Sequence, residues 1–407
     1  MSFTIGVVLF ALALAISIAL HEFGHLVTAK AFGMKARRYF IGFGPKVWSF
    51  RRGETEYGLK AIPAGGFVDI AGMSHVEDLP HDDEPRAFWR FAAWKRVVVM
   101  AAGSVTHFAV ALVVLYGLSF TSGLPTGKMI VGDVPSCVVL DATPKTGEVR
   151  DCQPGDPPGP AAQAGLRKGD EIVAIDDSPI RSFDDLVAQV RTHPNQDLTF
   201  RYLRDGTEHT TVVHTVEGTR LAIEGDPKRD DNLSTVGLIS ILPSTTERFG
   251  PLTGVGGTLS YTGSLIGATF SSLKEFPAKI PKLIDALAGQ QRDPGTPVSV
   301  VGASRIGGQA IQAGSWPSFF MMLAIFNMFI GIFNLLPLLP LDGGHIAILL
   351  YERARSAIAK ARGRRDPGHV DPTKLVPLTL VVILVFGGIS LLTILTDIVN
   401  PIANPFD

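Results

Sequence analysis

Four apolar runs dominate the hydropathy pattern of the chain, at residues 3–32, 97–120, 319–341 and 375–398. Crossing about 30 Å of hydrocarbon takes roughly 20 apolar residues on a helix, so each run predicts a transmembrane span. The first run also has a reading as a cleaved signal peptide, but no Lys or Arg precedes it and no clear small-residue cleavage site follows. Its apolar character continues through Leu26, Val27 and Ala29, which favours a span. The expected order is a first span (1–32), a loop (33–96), a second span (97–120), an insert (121–245) and an amphipathic stretch (246–318). A third span (319–341), a second loop (342–374), a fourth span (375–398) and a tail (399–407) complete it. In the first loop, turn signals at Pro63 and Gly65-Gly66 lie between short extended-looking stretches and predict a membrane-associated β-hairpin over residues 54–70.

Basic residues orient these spans. Lys30, Lys35, Arg37, Arg38, Arg51 and Arg52 follow the first, and Lys95 and Arg96 precede the second. Arg353, Arg355, Lys360, Arg362, Arg364 and Arg365 lie between the third and fourth. The positive-inside rule makes both loops cytoplasmic and turns the termini and residues 121–318 outward. A formal net charge of −1 over 407 residues disfavours nucleic acid as a partner. Positive mean hydropathy combined with a polar, Gly- and Pro-rich middle fits a cell-membrane protein carrying a soluble insert.

Within the first span, His21-Glu22-Phe23-Gly24-His25 follows the charge-free apolar stretch of residues 3–20. Ionisable groups are expensive in lipid unless they face protein or bind something. Residues four apart share a helical face, so His21 and His25 can grip one metal ion with Glu22 beside it. If the helix ends near Phe32, His21 lies about 16 Å from that end, so the site is buried but nearer the cytoplasm. Catalytic zinc usually takes three protein ligands. The candidate third is Asp342, in the run from Asn334 through Pro337 and Pro340 to Gly343 and Gly344. The prolines break the helix, and irregular backbone at membrane depth is tolerated where it is buried or lines a polar cavity. The alternative is that Asp342 only caps a cytoplasmic helix starting near His345.

Residues 128–217 read as soluble. Gly159 to Asp170 is a Gly- and Ala-rich segment ahead of a strand at residues 171–175, a turn at Asp176-Asp177 and an amphipathic helix at residues 183–190. This resembles a PDZ domain, an α+β module that binds extended peptides by β-augmentation. The alternative is a ligand-independent spacer. The chain's two cysteines, Cys137 and Cys152, both fall in the insert, and an even count in an outward-facing domain reads as a disulfide. Closing such a loop stabilises by about 3 kcal/mol in the chain-entropy model. Residues 250–289 predict helices on the outer membrane surface, and residues 292–308, with Pro294 and Pro297, are expected to close over substrate entry.

His21, Glu22 and His25 on one span with Asn334, Pro337, Asp342 and Gly343 on a later one resemble the site-2 protease family of zinc intramembrane metalloproteases. Gly42-Phe43-Gly44-Pro45 and Gly65-Gly66-Phe67 also look like its features, and the likeness covers nearly the whole chain. The resemblance implies a Zn2+ cofactor held by His21, His25 and Asp342, Glu22 as general base, and Asn334 hydrogen-bonded to substrate backbone. It also implies single-pass membrane substrates, in bacteria often anti-sigma factors, cut in regulated intramembrane proteolysis, and an outward PDZ domain that screens them. One departure is visible. Family members commonly carry Gly-Pro and then Asn early in the second span, where this chain has Gly103-Ser104 and His107. Loss of the proline should straighten the helix entry, with His107 replacing an Asn hydrogen bond. Asn327 and Gly331 share a face with Asn334, as a substrate surface or as helix-packing residues. Two other functions compete with this one. A catalytically idle PDZ scaffold needs no general base, and a metal transporter needs more intramembrane polar groups than are present.

Overall fold

The computed structural model describes residues 2–73, 77–141, 150–221, 229–230, 233–293 and 295–406, without the side chains of residues 63, 64, 221, 229, 230, 372 and 373. Pro294 lies outside the described residues, as does the side chain of Pro63. The helices are α1 (Phe3–Ala31), α2 (Ala93–Thr121), α3 (Pro160–Gln163), α4 (Phe183–Arg191), α5 (Thr253–Leu287), α6 (Val300–Gln312), α7 (Trp316–Asn334), α8 (Asp342–Ala361) and α9 (Val376–Val399). The strands are β1 (Ala36–Arg52), β2 (Thr55–Ile70), β3 (Leu124–Asp133), β4 (Glu171–Ile175), β5 (Ser178–Pro179) and β6 (Asp197–Arg204). They continue with β7 (Thr207–His214), β8 (Val216–Leu221), β9 (Arg229–Asp230), β10 (Leu233–Leu238) and β11 (Leu242–Glu247). Two compact units result, Met1–Leu118 with Leu252–Asp407, and Ser119–Pro251.

In the first unit α1, α2, α7 and α9 are long and apolar enough to cross a membrane. The third of these stops short of the expected 341. Helix α7 ends at Asn334, residues 335–341 form an irregular turn around Pro337 and Pro340, and α8 begins at Asp342 rather than near His345. Helix α1 buries Gly6, Phe10, Leu14, Ser17, His21, Gly24 and His25, a stripe at spacings of three and four. Val8, Leu12, Ile16, Phe23 and Val27 on the remaining surface are exposed, as lipid contact requires. The stripe seats α6. A Cβ added at Gly6 would lie 2.8 Å from the Gly308 Cα, so only small residues let these helices meet. Phe10 packs edge-on against Phe319 of α7 at 5.3 Å.

Helix α6 has 13 residues, about 20 Å, too short to span. A buried pair tethers its start. Arg292 Nη1 lies 2.6 Å from Asp397 Oδ1 of α9, with side chains 2% and 1% exposed. Asp397 Oδ2 accepts from the Ser299 amide and hydroxyl, both at 2.6 Å, while Ser299 Oγ caps the helix. Arg292 also donates to Thr296 Oγ1 and to the Pro297 and Asn400 carbonyls.

The hairpin differs from expectation. It starts at Ala36, turns at Gly53-Glu54, and both strands bend midway. Glu56 pairs with Arg38 as well as with Arg51, and Tyr39 pairs with Val68 as well as with Tyr57. The hairpin is thus folded back into four strand segments joined by three ladders, in the order 66–70, 36–41, 55–60, 46–52. Positive φ at Gly42, Gly44 and Gly65, of 91°, 82° and 125°, permits the bends. Residues 55–60 lie at the centre of this arrangement, paired on both sides. Thr55 is fully buried and donates to the Ala36 carbonyl. Phe43, Val47, Trp48, Phe50, Leu59 and Ile62 are exposed, an apolar surface suited to a membrane interface.

Arg86 pins the far end of this sheet. Its Nη1 and Nη2 donate to Glu54 at 2.6 and 2.8 Å, and with Lys35 they hold the Glu54 carboxyl down to about 2 from its ordinary 4.5. A lowered folded-state value contributes stability above pH 4.5 that disappears as the pH falls toward 2. Wild type is therefore expected to lose unfolding temperature across that window faster than Glu54→Gln, in melts recorded from pH 7 to pH 2. Parallel curves would refute the assignment.

The second unit is α+β. Its main sheet runs β11-β3-β4-β6-β7 with β5 on β4, and β8-β10-β9 form a smaller sheet. Val131, Ile172, Ile175, Leu186, Val190, Leu198 and Phe200 make its core with α4, which Ser182 opens with a capping box. Asp170, 1% exposed, receives both Nε and Nη2 of Arg204 at 2.8 Å, fixing the loop ahead of β4. Cys137 and Cys152 are disulfide-bonded with Cα atoms 6.0 Å apart, their loop passing through undescribed residues 142–149.

Candidate metal centre

One turn of α1 brings the two histidines to the same point. His21 Nε2 and His25 Nε2 lie 3.2 Å apart. Asp342, at the first position of α8, places Oδ2 3.3 Å from each. Leu341, not Asp342, is the N-cap of α8, and no hydrogen bond ties the Asp342 carboxylate to the helix start among the described residues. His25 Nδ1 lies 2.7 Å from the Val99 carbonyl of α2. A carbonyl only accepts, so Nδ1 carries the proton and Nε2 offers its lone pair.

With His21 offering its Nε2 lone pair as His25 does, three donor atoms face one another at this range, an arrangement that a bound cation relieves. Zinc binds such ligands tetrahedrally at about 2.0–2.2 Å, which makes the edge of the tetrahedron about 3.3–3.6 Å. The observed edges of 3.2, 3.3 and 3.3 Å match one face of it. Asp342 Oδ2 is buried with no hydrogen-bond partner among the described residues, as an oxygen reserved for a metal should be. The donor set fits the ion.

Three neighbours shape the space. Gly103 of α2 lies against the donors, since a Cβ there would stand 2.5 Å from His25 Nε2 and 2.6 Å from His21 Nε2. Glu22 lies beside the Val68 amide, and a Cβ at Gly66 would come 3.1 Å from its Cγ. Glu22 thus faces residues 66–70, an edge with no further strand on it among the described residues. His107 stacks obliquely on His21 at 5.1 Å and hydrogen-bonds Asn327 Oδ1 through Nδ1 at 2.9 Å. Asn327, fully buried, also donates to the Leu323 carbonyl, so it joins α2 to α7 rather than lining a substrate surface. Helix α2 runs unbroken past Ser104 where the usual proline is missing. Asn334 is half-buried at the end of α7, and its side chain hydrogen-bonds none of the described residues.

Sequence reading passed over the Val99 carbonyl, the Val68 amide and the clearance supplied by Gly103. Backbone groups carry no sequence signal. Gly103 had one, its glycine identity within a span.

The family model described as peptidase family M50 matches residues 9–365. The chain belongs to peptidase family M50. It is 43% identical to the zinc metalloprotease Rip1 of Mycobacterium bovis over 409 residues, covering 99% of each chain. The Rip1 proteins of Mycobacterium tuberculosis and Mycolicibacterium smegmatis match at the same identity over 409 and 411 residues, again covering 99% of each chain. This M50 protein is a zinc metalloprotease with several apolar helices suited to a membrane.

Proposed function

We propose that the chain is an intramembrane endopeptidase that cuts single-pass membrane proteins near the cytoplasmic side, with His21, His25 and Asp342 as zinc ligands and Glu22 as general base. The observation that carries this reading is the donor triangle lying beside Glu22, which itself faces an unpaired strand edge. Zinc, when bound, polarises the scissile carbonyl and makes water acidic enough to react near neutral pH. Glu22 takes the water proton as the new C–O bond forms and delivers it to the amine nitrogen as the C–N bond breaks. The edge at residues 66–70 receives the unwound substrate as an added strand, whose backbone bonds replace those of its helix. Asn334, whose side chain hydrogen-bonds none of the described residues, would hold substrate backbone.

The charge pattern puts the hairpin and α8 on the cytoplasmic side and the second unit outside. That unit is read as a PDZ-type peptide module, supported by its capped helix α4 and its antiparallel sheet with open edges at β7 and β11. It would admit substrates already trimmed of bulky ectodomains, such as anti-sigma factors released in regulated intramembrane proteolysis.

The test is a cleavage assay of full-length protein in lipid with bound metal measured in parallel. Glu22→Gln should lower cleavage by about 10²–10⁴-fold while zinc stays at one per chain. Full cleavage by that variant would exclude Glu22 as base, and zinc missing from wild type would exclude the ligand set.

A further inference from the structure

Where α2, α8 and α9 converge, the first unit holds a cavity of about 260 Å³. Arg96 of α2 and Glu352 of α8 line it, along with the mainly apolar Met73, Ile348, Leu349 and Leu375. Arg96 is 6% exposed, and its Nε is buried with no hydrogen-bond partner among the described residues. Its guanidinium rests over the Phe88 ring at 5.9 Å and forms no ion pair with any described residue. An arginine Nε buried without an acceptor is rare, because losing water without gaining a partner is costly, and its Nη groups lie on the cavity side with no ion pair to a described residue. Glu352 is engaged differently. One oxygen accepts from the Val370 amide at 2.7 Å, and the other lies 3.3 Å from His369 Nδ1. A carboxylate has about four acceptor sites, so Glu352 keeps room for another donor.

The cavity therefore presents a cation and an anion across an apolar floor, without joining them to each other. Its depth identifies the occupant. Arg96 lies in the first turn of α2, and Leu375 and Thr379 frame the first turn of α9. The ends of two spanning helices lie where lipid head groups lie. We propose that this cavity binds a phospholipid whose head group pairs a phosphate with a primary ammonium, as in phosphatidylethanolamine. The phosphate accepts from Arg96, the ammonium donates to Glu352, and the acyl chains leave over Met73, Ile348 and Leu375. A choline head group lacks the N–H donors that Glu352 needs, and a glycerol head group lacks the charge.

Leu339, Pro340 and His345, from the segment that carries Asp342, also line this space. The lipid would brace that segment.

The experiment is native mass spectrometry of delipidated full-length protein in detergent, titrated with phosphatidylethanolamine, phosphatidylcholine or phosphatidylglycerol. Wild type should retain phosphatidylethanolamine at least about tenfold more tightly than the others, as expected when one charge-assisted hydrogen bond is lost. Arg96→Gln should lose retention of all three, and Glu352→Gln should bind phosphatidylethanolamine and phosphatidylcholine alike. Ile348→Trp, which fills the floor and alters no charge, should block binding; bound zinc and melting temperature certify that each variant is folded. Equal retention of the three lipids by wild type, or unchanged retention by folded Arg96→Gln, overturns the proposal. Competition by soluble glycerophosphoethanolamine as strong as by the lipid would reassign the site to a free phosphate ester and overturn the lipid.

Discussion

Gly103→Ala is expected to strip the protein of zinc and of activity while leaving its helices folded. The added methyl would occupy the position 2.5 and 2.6 Å from the two histidine Nε2 atoms, where no carbon contact is tolerated. Relief requires α2 to back away or the rings to rotate. Backing away also moves the Val99 carbonyl that holds His25 Nδ1, since it lies four residues earlier on the same helix. Disturbing an orienting partner alone costs about 10–100-fold in metal affinity, and here the donor atoms themselves are displaced. Zinc affinity should therefore fall by at least about 100-fold in a chelator-competition titration, with little change in helical circular dichroism. A Gly103→Ala protein that holds one zinc per chain and cleaves normally would show that the donors meet elsewhere.

The second large effect is expected at Arg292. Arg292→Leu leaves the Asp397 carboxylate buried with only Ser299 as donor. Breaking a buried pair from one side costs about 3–5 kcal/mol, whereas replacing both partners with apolar groups is often close to neutral. Arg292→Leu with Asp397→Leu should consequently recover much of what Arg292→Leu loses. The damage should be local first, because Ser299 caps α6 and Asp397 positions Ser299. Hydrogen exchange would read it as faster exchange over residues 300–312, accompanied by a lower melting temperature. Unchanged exchange there would mean that α6 is held by its glycine contacts with α1 alone.

How far the chain could be read in advance depended on the range of each interaction. The spans were legible because lipid requires long uninterrupted apolar runs, and the meeting of His21, His25 and Asp342 because paired histidines and a lone carboxylate within apolar runs have few other uses. Proline chemistry gave the break after Asn334, although the helix ends seven residues before the run of apolar residues does. The hairpin was misread because its bends are tertiary. The turn signals at Gly65-Gly66 were real, but they mark a fold-back within one strand rather than a connection between two. His107 and Asn327 lie 220 residues apart, and no local pattern announces their bond. Helix α6 lies partly in the stretch expected to close over substrate entry, and its glycines show their use only once Gly6 and Phe10 are placed opposite them.

Because Gly6, Phe10 and Leu14 share their stripe with His21 and His25, helix α1 behaves as an axle with two keyways cut in line. Turning it by one residue, about 100°, would unseat α6 and carry the imidazoles toward lipid together. Whatever loosens the outer keyway is thereby transmitted along a rigid rod to the inner one. A spectroscopic label on α6 would thus double as a remote gauge of metal loading, reporting on the chemistry without touching it.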